Sequence, residues 1–331
     1  MTGVQTCALP ISTYLEIHKA GGGIGFTVGH TRASGEAELS ELLRKRLDRM
    51  VAQGTTLAEA KSGYGLDTET ELKMLRVIHG TRHAGVELVS TFLGAHSVPA
   101  GKTSAEQTEL ILGEMVPAVK AAAEAGQIRP EFVDVFHEAG VFDASETRRI
   151  LEAGRAIGLE ASFHGDELHH VGSAELAGEI GAAAVSHLEE VSDAGIAALA
   201  RRPTFAVLLP TTAYLMRLRA PPARRLIDSG VPVALGSDFN PNAHCLSMPA
   251  TMNLACVLLR MSMEEALVSA TLNAAASLNR AADYGSLEPG KWGDCVLIDS
   301  PRWEHVIYEL ADAPISLVFK KGALVFSAKR H

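Results

Sequence analysis

What is scarce in the sequence narrows it first. Only four cysteines occur among 331 residues, Cys7, Cys245, Cys256 and Cys295, and no two form a CxxC pair. That excludes a disulfide framework and fits a reducing cytosol. No apolar run is long enough to span a bilayer. No dense lysine or arginine stripe is present; Arg44-Lys45-Arg46 and Arg224-Arg225 fall on predicted helices, and the formal net charge is −9. Solvated helix faces account for them, so neither a nucleic acid nor a membrane is an expected partner. A GxGxxG fingerprint is also absent. Gly21-Gly22-Gly23 follows no strand and reads as a flexible loop.

Hydrophobic residues make up 47% of the chain and charged residues 21%, ample for one large core. From Glu36 onward, helical and strand-like patterns alternate. Helices are predicted over 36–53, ended by Gly54, and from Asp67 to about 82. Others are expected over 105–125, 144–157 capped by Asp143, 172–180, 192–201, 221–229, 247–260 and 263–278. Strands are predicted over 55–61, 86–96, 132–136, 159–164, 182–187, 204–210 and 231–238. Past residue 284 the texture changes to short antiparallel strands, with a turn at Lys321-Gly322.

This series reads as an α/β protein, either a parallel barrel or a doubly wound sheet. Polar residues decide for the barrel, because Lys61, His96, His164, His187 and Asp238 end successive strands. In a barrel such ends converge on one face, where active sites form. Seven strands are countable, and an eighth is expected before residue 13. The expected organisation is a leader over 1–12 that fits no later element, a TIM-like (β/α)8 barrel over 13–284, and a small β-domain over 285–331.

His164, Glu167, His187 and Asp238 form the strongest chemical constellation. His164 ends a strand in FHGDEL, and Glu167 follows past Gly165, a residue suited to a sharp turn. Imidazole nitrogen together with carboxylate oxygen suits zinc or iron. Single histidines at strand ends are more often structural; four such groups at one barrel end favour a metal. Lys61 has a second reading, as a carbamylated bridge in a binuclear centre. Tyr64 in SGYG is explained equally well by a tight turn. His169-His170 reads as exposed decoration at a helix start.

The segments HGDEL, SHLEEVSD and LGSDFNPN resemble the metallo-dependent amidohydrolase superfamily. KSGYGLDTETELKMLRVI, STFLGAHSVP and GSDFNPNAHCLSMP are similar to imidazolonepropionases of the animal type, over nearly the whole chain from Thr13. The resemblance implies a (β/α)8 barrel with a β-sandwich built from both chain ends. It implies hydrolysis of 4-imidazolone-5-propanoate to N-formimidoyl-L-glutamate in the cytosol, by a homodimer. It further implies that His164 and Asp238 are metal ligands and that Glu167 orients the attacking water or acts as general acid/base. His187 would stabilise the carbonyl oxygen, while Tyr64, His96, Asn240 and Asn242 would contact substrate or product. Either Glu167 or Asp238 could move the proton.

The chain departs from that family in one respect: it contains no His-x-His pair, the motif expected to end the first barrel strand. The arginine expected near that motif, which would meet the substrate carboxylate, has no counterpart either. The expectation is a chain truncated at its amino terminus, inactive or poorly folded by itself. The alternatives are another amidohydrolase, a deaminase or a different cyclic-amide hydrolase, and a non-catalytic remnant acting as a binding protein.

Overall fold

A computed structural model describes residues 23–328. The expected leader over 1–12, with Cys7, and the glycines 21 and 22 lie outside the described residues. Seven parallel strands pair strictly in chain order, β1 (Leu57–Lys61), β2 (Glu87–Ala95), β3 (Pro130–His137), β4 (Glu160–Gly165), β5 (Ala184–His187), β6 (Phe205–Leu208) and β7 (Val233–Leu235). The sheet curls as in a TIM-like barrel, with helices between consecutive strands. All carboxyl-terminal strand ends therefore lie together. From Val89 to Ala95, β2 is buried at every residue, as expected of a parallel strand covered on both faces.

Helix boundaries follow local chemistry. Asp67 caps α3 (Thr68–Gly80) by accepting the Thr70 N–H at 2.8 Å. Asp143 and Glu146 form a reciprocal capping box at the start of α6 (Ala144–Ala156). Before β1 stand α1 (Ile24–Ala33) and α2 (Glu36–Ala52). Ile24 and Val28 of α1 pack on Leu66 and Tyr64. Arg32 latches this helix to the loop after β1, through the Gly65 carbonyl at 2.9 Å and Asp67 at 2.8 Å.

The predicted helix over 105–125 is interrupted by a π-helical turn at Ile111–Met115, between α4 (Ser104–Leu110) and α5 (Val116–Glu124). The helix predicted over 263–278 breaks at Thr271 into α12 (Met263–Ala270) and α13 (Leu272–Ser277). The break accommodates Gly285, where a Cβ would come within 2.7 Å of the Leu272 backbone. The strand predicted over 204–210 ends at Leu208; Pro210 instead starts α9 (Pro210–Met216), since proline tolerates the first helical turn. The remaining helices are α7 (Ser173–Ile180), α8 (Asp193–Ala200), α10 (Ala223–Asp228) and α11 (Met248–Leu259). Among the described residues no helix is long and apolar enough to cross a membrane.

The carboxyl-terminal segment forms an antiparallel three-stranded sheet of β8 (Cys295–Ile298), β9 (Ile315–Lys320) and β10 (Ala323–Ser327), with α14 (His305–Tyr308) between β8 and β9. Ile315 and Val318 of β9 share an apolar cluster with Leu47 and Val51 of α2 and with Val86. Glu87, at the amino-terminal end of β2, accepts the Tyr284 hydroxyl at 2.6 Å and pairs with Lys321 at 2.9 Å. This sheet thus docks at the end of β2 opposite His96.

Candidate active site

A buried polar chain runs across the strands below the barrel mouth. Thr91 of β2 donates to Glu59 of β1, and Lys61 binds both Glu59 and Asp134 of β3 at 2.7 Å. Asp134 has no exposed side-chain surface, and its other oxygen accepts His164 Nδ1 at 2.8 Å. Burial disfavours charge on Asp134, but His164 and Lys61 outweigh it and hold the carboxyl well below its usual range. The same carboxylates keep Lys61 protonated against its own burial. A carbamate on Lys61 would set a third anion between Glu59 and Asp134, so the ammonium is the fitting state.

Asp134 fixes the orientation of His164. A carboxylate only accepts, so the Asp134 contact is made by a protonated Nδ1, and Nε2 is the nitrogen facing away from it. Beyond His164 the chain turns. Gly165 is required by packing rather than by its own dihedral angles: a Cβ there would lie 2.2 Å from that of Ser173. The left-handed residue is Asp166, with φ 49°. Glu167 follows, buried, with Oε2 at 3.6 Å from His187 Nε2.

His187 lies between two carboxylates, since its Nδ1 is also 3.6 Å from Glu189 Oε2. Burial opposes a charge on the ring, yet Glu167 and Glu189 raise it to about 10. Burial pushes the Glu167 carboxyl up to about 7, with His187 partly opposing the rise. His96 behaves in the opposite way. It donates Nδ1–H to the Gly63 carbonyl at 2.9 Å. Burial, then the neighbouring His164, lower it to about 4. At neutral pH His187 is therefore a charged donor and His96 a neutral ring with an accepting Nε2.

The rings form a row. Tyr64 meets His96 edge-on at 5.0 Å, His96 lies 5.9 Å from His164, and His164 lies 5.4 Å from His187. Asp238, just past β7 with φ 47°, closes the group, its charge acting on His96, Glu167 and His187 alike. Its Oδ2 accepts the Thr212 hydroxyl and, at 3.1 Å, the Asn240 amide. Asn240 Oδ1 accepts the backbone N–H groups of Asn242 and Ala243. The Asn240 side chain is thus engaged in shaping its own loop and aiming Asp238.

Glu71, on the first turn of α3, takes the N–H groups of Gly63, Gly65 and Leu66 at 2.8–2.9 Å. The Tyr64 loop is therefore a formed nest rather than a simple turn. Asp134, Glu189, Thr212 and Glu71 are the site residues that the sequence reading passed over. Asp134 carried a signal, a lone charge inside the apolar run FVDVF.

His164 Nε2 is the ring nitrogen left open to a metal ion, and the Asp134–His164 bond is the tether usually found behind a ligating imidazole. A second grouping, Asp166, His170 and Glu175, also brings ligand atoms within 4.8 Å of one another. It does not suit a cation. Asp166 accepts the N–H groups of Val171, Gly172, Ser173 and Ala174 at the positive end of α7. A cavity of about 580 Å³ opens beside the cluster between residues 98–104 and 137–146, and no predicted site residue lines it.

Comparison with known proteins follows the same lines. The profile described as Amidohydrolase family matches residues 136–325. The chain is 60% identical to a probable imidazolonepropionase of Dictyostelium discoideum, covering 96% of this chain and 75% of that one. It is 55% identical to a probable imidazolonepropionase of Homo sapiens, covering 95% of this chain and 75% of the relative. In fold it is similar to a zinc-bound adenosine deaminase from Xanthomonas campestris, with a TM-score of 0.67 at 18% identity over 88% of this chain and 70% of the other. It is also similar to an atrazine chlorohydrolase from Arthrobacter aurescens complexed with zinc, with a TM-score of 0.73 at 15% identity over 98% and 80% of the two chains.

Proposed function

The chain belongs to the imidazolonepropionase family of amidohydrolases, metal-dependent hydrolases of a cyclic amide in histidine breakdown, and we propose how its buried cluster opens the ring of 4-imidazolone-5-propanoate. His164 Nε2 and Asp238 would hold the metal, for which this nitrogen and oxygen set suits zinc or iron. A bound cation of this kind would lower the pKa of its water to about 7 and so supply hydroxide at neutral pH.

The remaining steps belong to side chains of this chain. Glu167, pushed up to about 7 by burial, is poised to exchange a proton at neutral pH. It takes one from the attacking water and returns it to the leaving ring nitrogen. Asp238 is the other carboxylate within the cluster. His187, held charged by its two carboxylate neighbours, donates from Nε2 to the carbonyl oxygen as negative charge develops there. His96, neutral, accepts from a substrate N–H. Tyr64 stacks at its edge, and Asn240 and Asn242 hold the loop against the substrate or open product. The product is N-formimidoyl-L-glutamate.

The opposite protonation states of His96 and His187 carry this reading, because a ring amide presents both a donor and an acceptor. The test is turnover by the purified protein, followed as loss of imidazolone absorbance and appearance of formimidoylglutamate by mass spectrometry. Cytosine and hydantoin serve as competitors. With the His-x-His strand that the family resemblance implies supplied upstream, hydrolysis of imidazolone propanoate alone is expected; ammonia release from cytosine instead would identify a deaminase. A cytosolic homodimer is part of the same proposal, supported by likeness to the family, and light scattering measures the dimer.

A further inference from the structure

Among the described residues, three buried polar atoms beside the cluster have no partner at hydrogen-bond distance. They are His187 Nδ1 and both carboxylate oxygens of Glu189. Glu189 is only 2% exposed. The two groups face each other at 3.6 Å, and His187 Nε2 faces Glu167 Oε2 at the same separation on its other side. Buried polar atoms without partners are uncommon, and each one calls for a reason.

The backbone is arranged to create this juxtaposition. His187 and Leu188 both take left-handed conformations, with φ 81° and 67°. For non-glycine residues such strain is held in place only by surrounding structure and gathers at functional sites. Here the holding bonds are Leu188 N–H to the Gly165 carbonyl and Glu190 N–H to the Asp166 carbonyl. The turn carrying Glu189 is thus tied to the turn carrying Glu167, and the imidazole is clasped between them.

We propose that Glu189 is the positioning residue of His187, accepting its Nδ1–H and so directing Nε2–H towards Glu167 and the substrate oxygen. A closing movement of under an ångström turns the 3.6 Å contact into a charge-assisted hydrogen bond. Catalytic hydrogen bonds of this kind are often long until substrate is seated. Glu167, on the other side of the ring, keeps the His187 charge paired when that of Glu189 is removed, which limits the loss of stability.

The inference rests on the reading of His187 as the donor to the carbonyl oxygen. It is tested with Glu189→Gln and Glu189→Asp in the same chain. In Glu189→Gln, kcat is expected to fall on the order of 10²-fold with KM within a few-fold. Metal content and Tm should stay close to wild-type values. Glu189→Asp should recover part of the loss. Histidine-selective 15N NMR provides a readout independent of turnover: in the wild type both His187 ring nitrogens carry a proton at neutral pH, and in Glu189→Gln the Nδ1 proton is released more readily. Unchanged kcat, loss of kcat together with Tm or metal, or an unaltered His187 spectrum would each overturn the assignment. If the wild type does not hydrolyse imidazolone propanoate, the functional reading fails while the NMR comparison still decides the role of Glu189.

Discussion

Asp134, itself fully buried, binds the half-buried Lys61 with one oxygen and His164 with the other. It thereby converts a β1 charge into the orientation of a β4 imidazole. Replacing it with asparagine keeps the shape but allows either tautomer at His164. Metal affinity of Asp134→Asn is expected to drop about 10–100-fold, read by titration against a chelator with elemental analysis; unchanged affinity would show that the tether is dispensable. Glu167 gives a pH prediction. Its carboxyl is raised to about 7, and a base works only when deprotonated. Activity is therefore present above that value and lost as pH falls through it. The acid limb of kcat/KM should disappear in Glu167→Gln, along with about 10²–10⁴-fold of the rate. An identical acid limb in that variant would assign it to another group. His164, Glu167, His187 and Asp238 were legible because each stands at or just past a strand end in the sequence. Glu189 was not, since an acidic pair after a strand reads as solvent-facing. The left-handed Leu188 sends Glu189 inward, and no periodicity announces such a turn.

The strand and helix pattern was legible wherever apolar period and caps agreed, as at α3 and α6 with Asp67 and Asp143 at their caps. It failed where tertiary contacts decide. Nothing local marks the break at Thr271, which is set by the approach of Gly285. Leu208, Leu209 and Pro210 read as a strand end because Pro210 also suits a helix start. Packing between elements gives a further expectation. Gly154 of α6 lies so close to β3 that a Cβ would fall 2.4 Å from Val133, on the strand that carries Asp134. Gly154→Ala forces α6 away from β3 and should destabilise by about 1–3 kcal/mol. Urea unfolding measures this; a neutral or stabilising result would show that the helix has room to shift.

The small sheet and the barrel share one apolar cluster through Leu47, Val51, Ile315 and Val318. Both tryptophans of the chain, Trp292 and Trp303, lie in the carboxyl-terminal segment. Tryptophan fluorescence therefore reports that segment, while far-UV circular dichroism reports mainly the helices around the barrel. The two probes should give coincident unfolding transitions. Leu47→Ala should lower both together by about 2–5 kcal/mol. Separate transitions would make the sheet an independent unit.

The strand order β1 to β7 has a bearing on how the chain is made. Each strand from β2 to β7 pairs with the strand synthesised just before it. A nascent polypeptide leaving the ribosome thus finds each docking edge already exposed when the next βα unit emerges, and assembly can proceed vectorially. The union of β9 with α2, separated by hundreds of residues, has to wait until β9 itself has emerged.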